Sequence, residues 1–144
     1  MSLDLDRFLP YQLAVAAARI SREFSALYRE RFGISIPEWR VVAHLSQSGP
    51  VSVREIHERV DMDKSKVSRA AARLEAAGYV AKTPNPADRR LIALELTPAG
   101  HAMIEDIAPV ARQFEAEVMA RLGDLAEPFR EGLAALAEDR PPKT

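Results

Sequence analysis

Asp88-Arg89-Arg90 places two guanidinium groups and a carboxylate directly after a turn-forming stretch, Thr83-Pro84-Asn85-Pro86-Ala87. Arginines held at the tip of a hairpin can neutralise phosphate and reach into a nucleic-acid groove. Asp88, two residues before Arg90, can pair with that guanidinium and fix its direction before it binds. Taken alone, such a pair is more often a solvated surface bridge of little energetic value.

A second cationic constellation lies upstream. If Lys64 to Ala77 is helical, at about 100° per residue, Val67 and Leu74 fall on one stripe with Ala70 and Ala71 beside them. Ser65, Arg69 and Ala72 then point the opposite way. Lys66 and Arg73 lie on one shoulder and Ser68 on the other. The outward face is small, hydroxylated and cationic, and it carries no carboxylate. Small side chains allow close approach to base edges, arginine and lysine suit guanine O6 and N7, and hydroxyls serve bases or phosphates. An ordinary solvated face usually mixes both signs. From Asp63 to Arg90 there are seven Lys/Arg against three Asp/Glu, a local +4; from Pro98 to Thr144 there are five against nine, a local −4. One region can therefore meet phosphate while the rest keeps the net charge at −1.

The elements that must position these groups are legible from periodicity and caps. Pro10 to Arg31 is alanine-rich, with Val15, Ile20, Phe24 and Leu27 at roughly helical spacing, and Gly33 stops it. A second helix starts at Ile36-Pro37-Glu38-Trp39 and ends before Ser48-Gly49-Pro50. Ser52-x-x-Glu55 is a capping-box signature for a third, with Val53, Ile56 and Val60 facing inward. Asp61-Met62-Asp63 is a turn, with Asp63 the N-cap of the fourth helix, which Gly78 ends. Tyr79 to Lys82 and Leu91 to Leu96 read as two strands flanking the basic hairpin. Thr97 caps a long fifth helix that begins at Pro98 and is expected to kink at Pro109. A sixth helix runs to about Glu138, with Phe129, Leu133 and Leu136 apolar. Two short helices, a tight turn and a basic hairpin outline a winged helix-turn-helix, a mainly α fold with a two-stranded β wing, and that outline implies binding to duplex DNA.

Composition limits the alternatives. The chain of 144 residues, 47% hydrophobic and 28% charged, suits one domain with a real core. Without cysteine there is no disulfide, thiolate metal site or cysteine redox sensor. The acidic start, Met1-Ser2-Leu3-Asp4-Leu5-Asp6, lacks the basic region of a signal peptide, and no apolar run is long enough for a membrane span. A cytoplasmic location is expected. His44, His57 and His101 sit on three different predicted helices, so no metal site is expected. No phosphate loop, nucleophile elbow or HExxH occurs, and neither an enzyme nor a cofactor is expected.

The pattern Asp88-x-Arg90, five residues, then Leu96-Thr97 and Gly100 resembles the wing signature of MarR-type transcriptional regulators. Lys64-Ser65-Lys66-Val67-Ser68-Arg69, with Arg73-Leu74-Glu75-Ala76-Ala77-Gly78-Tyr79-Val80, resembles that family's recognition helix, and Phe32 to Val42 its second-helix start. The resemblance covers essentially the whole chain. It implies an obligate homodimer on a palindromic operator, with residues 37–96 the DNA-binding region and residues 8–32 and 98–139 the helical dimerisation region. The long apolar stripes of the terminal helices agree, since so small a domain can hardly bury them alone. It further implies a repressor released by a small aromatic acid or phenol, whose pocket wall here would be Tyr28, Trp39, Arg40 and His44. An arginine beside aromatic rings suits an aromatic carboxylate. The rival reading is a winged-helix protein-interaction module that has lost DNA contact.

Overall fold

In a computed structural model, which describes residues 2–84 and 92–138, six helices and three short strands follow one another. They are α1 (Leu9–Phe32), α2 (Ile36–Ser48), β1 (Val51–Ser52), α3 (Val53–Val60), α4 (Lys64–Ala77), β2 (Val80–Pro84), β3 (Ile92–Leu96), α5 (Pro98–Leu122) and α6 (Ala126–Ala137). Single 3-10 turns precede α1 at Leu5–Arg7 and α6 at Gly123–Leu125. The expected pattern of helices is observed, and the architecture is mainly helical with a small antiparallel sheet.

The helix starts are fixed locally. Ser35 and Glu38 form a reciprocal capping box at α2, with Glu38 Oε2 accepting from the Ser35 N–H at 2.6 Å. Ser52 Oγ accepts from the Glu55 N–H at 3.2 Å and starts α3. Asp63 Oδ1 accepts from the Lys66 N–H at 2.8 Å and starts α4. At the other end of α4, Gly78 adopts a left-handed conformation (φ 87°), which lets Tyr79 N–H return to the Leu74 carbonyl at 2.9 Å. That bond keeps Tyr79 out of the sheet, so β2 begins at Val80, one residue later than its sequence suggests.

The two expected wing strands, β2 and β3, are present, and among the described residues a third, β1, joins them in the order β1-β3-β2. β2 and β3 pair from Val80↔Leu96 to Pro84↔Ile92, while Val51 and Ser52 add a two-residue edge opposite Leu94 and Ala93. A two-residue strand shows no alternation, so periodicity cannot announce it.

The chain divides into two compact units, Met1–Pro109 and Val110–Thr144, and the division falls within α5 just after its internal proline. The first unit holds the core. Val41, Val42 and Leu45 from α2, Ile56 from α3, Val67, Ala70, Ala71 and Leu74 from α4, Leu94 from β3 and Met103 from α5 are all buried. The start of α5 is bolted to the end of α4. Thr97 N–H donates to the Tyr79 carbonyl at 3.0 Å, its hydroxyl donates to the Gly78 carbonyl at 2.6 Å, and the Gly100 N–H donates to that same hydroxyl at 3.1 Å. In the second unit none of the described residues is buried, and Phe129, Leu133 and Leu136 are exposed.

Candidate nucleic-acid interface

The candidate surface is built from α4 outward. Val67, Ala70, Ala71 and Leu74 are buried, at most 1% exposed. Burying that stripe forces Ser65, Lys66, Ser68, Arg69 and Arg73 into the exposed class, all on one helix. Five of the eight DNA-facing candidates are thereby brought together. Asp88, Arg89 and Arg90 lie outside the described residues.

The first turn of α4 carries more structure than its sequence discloses. The Ser65 hydroxyl donates to Asp63 Oδ1 at 2.7 Å, beside the Lys66 N–H on the same oxygen. These two bonds, the backbone one first, hold the Asp63 carboxyl below the usual carboxylate range. With its proton committed, Ser65 can only accept at its remaining lone pairs. It therefore suits a base amino group better than a phosphate oxygen.

The turn before α4 is strained and anchored. Asp61 is left-handed (φ 52°), the one non-glycine with positive φ among the described residues. Met62 is buried, and His57 Nδ1 is hydrogen-bonded to the Met62 carbonyl. At the far end of α4, Lys82 on β2 pairs with Glu75 at 3.7 Å, joining α4 to the sheet. Neither tie was foreseen. A side chain reaching a carbonyl five residues on has no periodic signature.

Tyr28, Trp39, Arg40 and His44 lie on α1 and α2. Tyr28 is 2% exposed and stacks on Trp39, with ring centroids 5.4 Å apart and planes at 22°. Phe24 meets both rings edge-on, each at 5.2 Å, and joins the four residues expected from sequence. Its i, i+4 spacing to Tyr28 was the available signal. Burial pushes the Tyr28 phenol up to about 12, against the opposing charges of Arg29 and Arg40, with Glu38 adding a smaller upward push. His44, four residues after Arg40 on α2, has a buried Nε2 with no hydrogen-bond partner. An open concavity of about 410 Å³ lies elsewhere, on the N-terminal half of α1, between Asp6, Tyr11 and Arg19. It shares no residue with the Tyr28 wall.

Two short helices at a tight turn, the second cationic and exposed, beside an antiparallel sheet, define a winged helix-turn-helix protein. Residues 32–91 match the sequence model of the MarR family. A transcriptional repressor of Mycobacterium bovis is 30% identical over 122 residues, covering 85% of this chain and 87% of that protein. The Bacillus subtilis repressor MdtR is 37% identical over 78 residues, which span 54% of this chain but only 50% of MdtR. A crystal structure of a MarR/EmrR family regulator from Acinetobacter superposes with a TM-score of 0.81 at 26% identity, covering 92% of this chain and 94% of that one. The chain belongs to the MarR family, a family of transcriptional regulators and not of enzymes.

Proposed function

We propose that this chain is a sequence-specific repressor that binds a palindromic duplex operator as a homodimer in the cytoplasm. The observation that carries the reading is the outward face of α4, where Ser65, Lys66, Ser68, Arg69 and Arg73 are exposed together over a buried apolar stripe. Placed in a major groove, Arg69 addresses a guanine edge, while Lys66 and Arg73 on the shoulder reach phosphate. In the same reading, Asp88, Arg89 and Arg90 serve the adjacent minor groove. Support for a dimer comes from the second unit, where none of the described residues is buried and Phe129, Leu133 and Leu136 are exposed.

The control we infer is release by a small aromatic acid or phenol. Support comes from the Phe24–Tyr28–Trp39 cluster, from Arg40 in electrostatic reach of Tyr28, and from the unpartnered ring nitrogen of His44. A carboxylate or phenol held there would find a cation and a ring donor, with aromatic faces beside them. Such a ligand weakens DNA binding only as far as it prefers a DNA-incompetent arrangement of the two reading heads.

The decisive experiment is operator selection from a random duplex pool, followed by anisotropy titration of Arg69→Ala. Loss of about 1–3 kcal/mol, with relaxed preference at one operator position, is the expected outcome. Wild-type affinity in Arg69→Ala would remove α4 as the reader.

A further inference from the structure

The turn between α3 and α4 must present the first turn of α4 to DNA at one angle. The Asp63 cap fixes where α4 starts but not the direction from which the chain enters it. Asp61 sits in a left-handed conformation that an aspartate only tolerates, and α3 is eight residues long with one buried side chain, Ile56. Two anchors hold the turn instead. Met62 is 7% exposed, and its carbonyl receives the hydrogen bond of His57 from the last turn of α3. A carbonyl only accepts, so Nδ1 must carry the proton. The neutral ring is then the Nδ1–H tautomer with a bare Nε2, and the protonated ring donates from Nδ1 as well.

The Met62 carbonyl belongs to the peptide that leads into Asp63. Asp63 in turn caps α4 through Lys66 N–H and Ser65 Oγ. His57 thus fixes the plane from which the recognition helix departs. From Asp63 to Arg69 the axis advances roughly 9 Å, so a tilt of about 10° carries Arg69 sideways by about 1.5 Å. That exceeds the roughly 0.5 Å window within which a hydrogen bond to a base edge holds its geometry. Phosphate contacts, made by long cationic side chains in a smooth field, tolerate the same tilt.

We propose that His57 is a positioning residue for sequence recognition: through the Met62 carbonyl it sets the angle of α4, so that its loss erodes specificity while leaving general DNA affinity in place. The inference rests on α4 being the reader. The test uses the full-length protein and a duplex selected from a random pool by the wild type. Failure to select any sequence defeats the DNA-reading proposal itself. Given a selected duplex, His57→Leu is expected to bind it at least ten-fold more weakly, with affinity for a scrambled duplex and its salt slope within two-fold of wild type. His57→Asn places an amide N–H where Nδ1 was and should recover binding to within three-fold. A His57→Leu protein that keeps the wild-type ratio of selected to scrambled affinity overturns the inference. So does a His57→Asn that fares no better than a folded His57→Leu. Should His57→Leu fail to fold, nitrogen-15 NMR of the wild-type imidazole decides. Protonated Nδ1 with bare Nε2 at alkaline pH supports the lock, and the opposite tautomer refutes it.

Discussion

Gly100→Ala probes the joint between the end of α4 and the start of α5. A Cβ at Gly100 overlaps the Tyr79 carbonyl oxygen and comes within 3.1 Å of Leu96 Cδ2 and 3.2 Å of the Tyr79 carbonyl carbon. The leucine can turn aside. The carbonyl cannot, because it accepts the Thr97 N–H at 3.0 Å while the neighbouring Gly78 carbonyl accepts the Thr97 hydroxyl at 2.6 Å. Relief requires α5 to back away from the turn by on the order of 1 Å, a displacement that breaks both bonds. Overpacking costs about 1–3 kcal/mol and each bond about 1 kcal/mol. Retreat relieves the overlap at the expense of the bonds, so the two costs do not simply add, and about 2–3 kcal/mol is the net expectation. A chain of this size loses roughly 4 °C of melting temperature per kcal/mol, which gives a fall of about 10 °C. Circular dichroism melts of both proteins at one fixed protomer concentration measure it, since association shifts the midpoint. A Gly100→Ala melt within about 2 °C of wild type would show that the joint is loose and that glycine is not required there.

Leu133→Asp, which puts a charge on an exposed apolar position of α6, should abolish dimers in sedimentation velocity together with operator binding; a dimer with full affinity would place the interface elsewhere. Tyr28→Phe should remove a late tyrosinate step near pH 12 from the absorbance titration at 295 nm. The sign is that of a raised folded pKa. The contribution to stability is complete below the ordinary tyrosine value of about 10 and is lost as pH climbs through about 12. A missing step at about 10 instead would show that Tyr28 is not desolvated. Arg40→Ala should keep operator affinity yet lose the response to mono-aromatic acids, read by Trp39 emission and by anisotropy. Ligand release that persists in Arg40→Ala would exclude Arg40 as the carboxylate partner.

Most of the fold was legible where a local rule forces a local outcome. Ser52 and Asp63 cap the helices that they precede, Gly78 ends α4, and Thr97 starts α5, each because one side chain or one backbone conformation satisfies an otherwise orphaned helix end. The facing of α4 followed from Val67 and Leu74 alone, since burying them decides where Ser65 and Arg69 point. What escaped depends on pairs distant in the chain or lacking a period. β1 exists because Val51 comes to lie beside Leu94. The His57 tie and the Lys82–Glu75 bridge are tertiary facts. Phe24 was visible as an apolar helix residue, but only the approach of α2 shows that it and Tyr28 share Trp39.

The three-stranded sheet also bears on solubility. β3 lies between two neighbours, so its ladder of peptide groups is occupied on both sides along Ala93 and Leu94. The outer edges belong to a strand of two residues and to β2, which carries the charge of Lys82 and ends at Pro84, a residue with no N–H to offer. A foreign strand finds little to extend. That protection matters more here than in a strongly charged protein. With a net charge of −1, long-range repulsion does almost nothing to keep copies apart in a crowded solution. The burden of preventing edge-to-edge aggregation falls on a lysine, a proline and the shortness of β1.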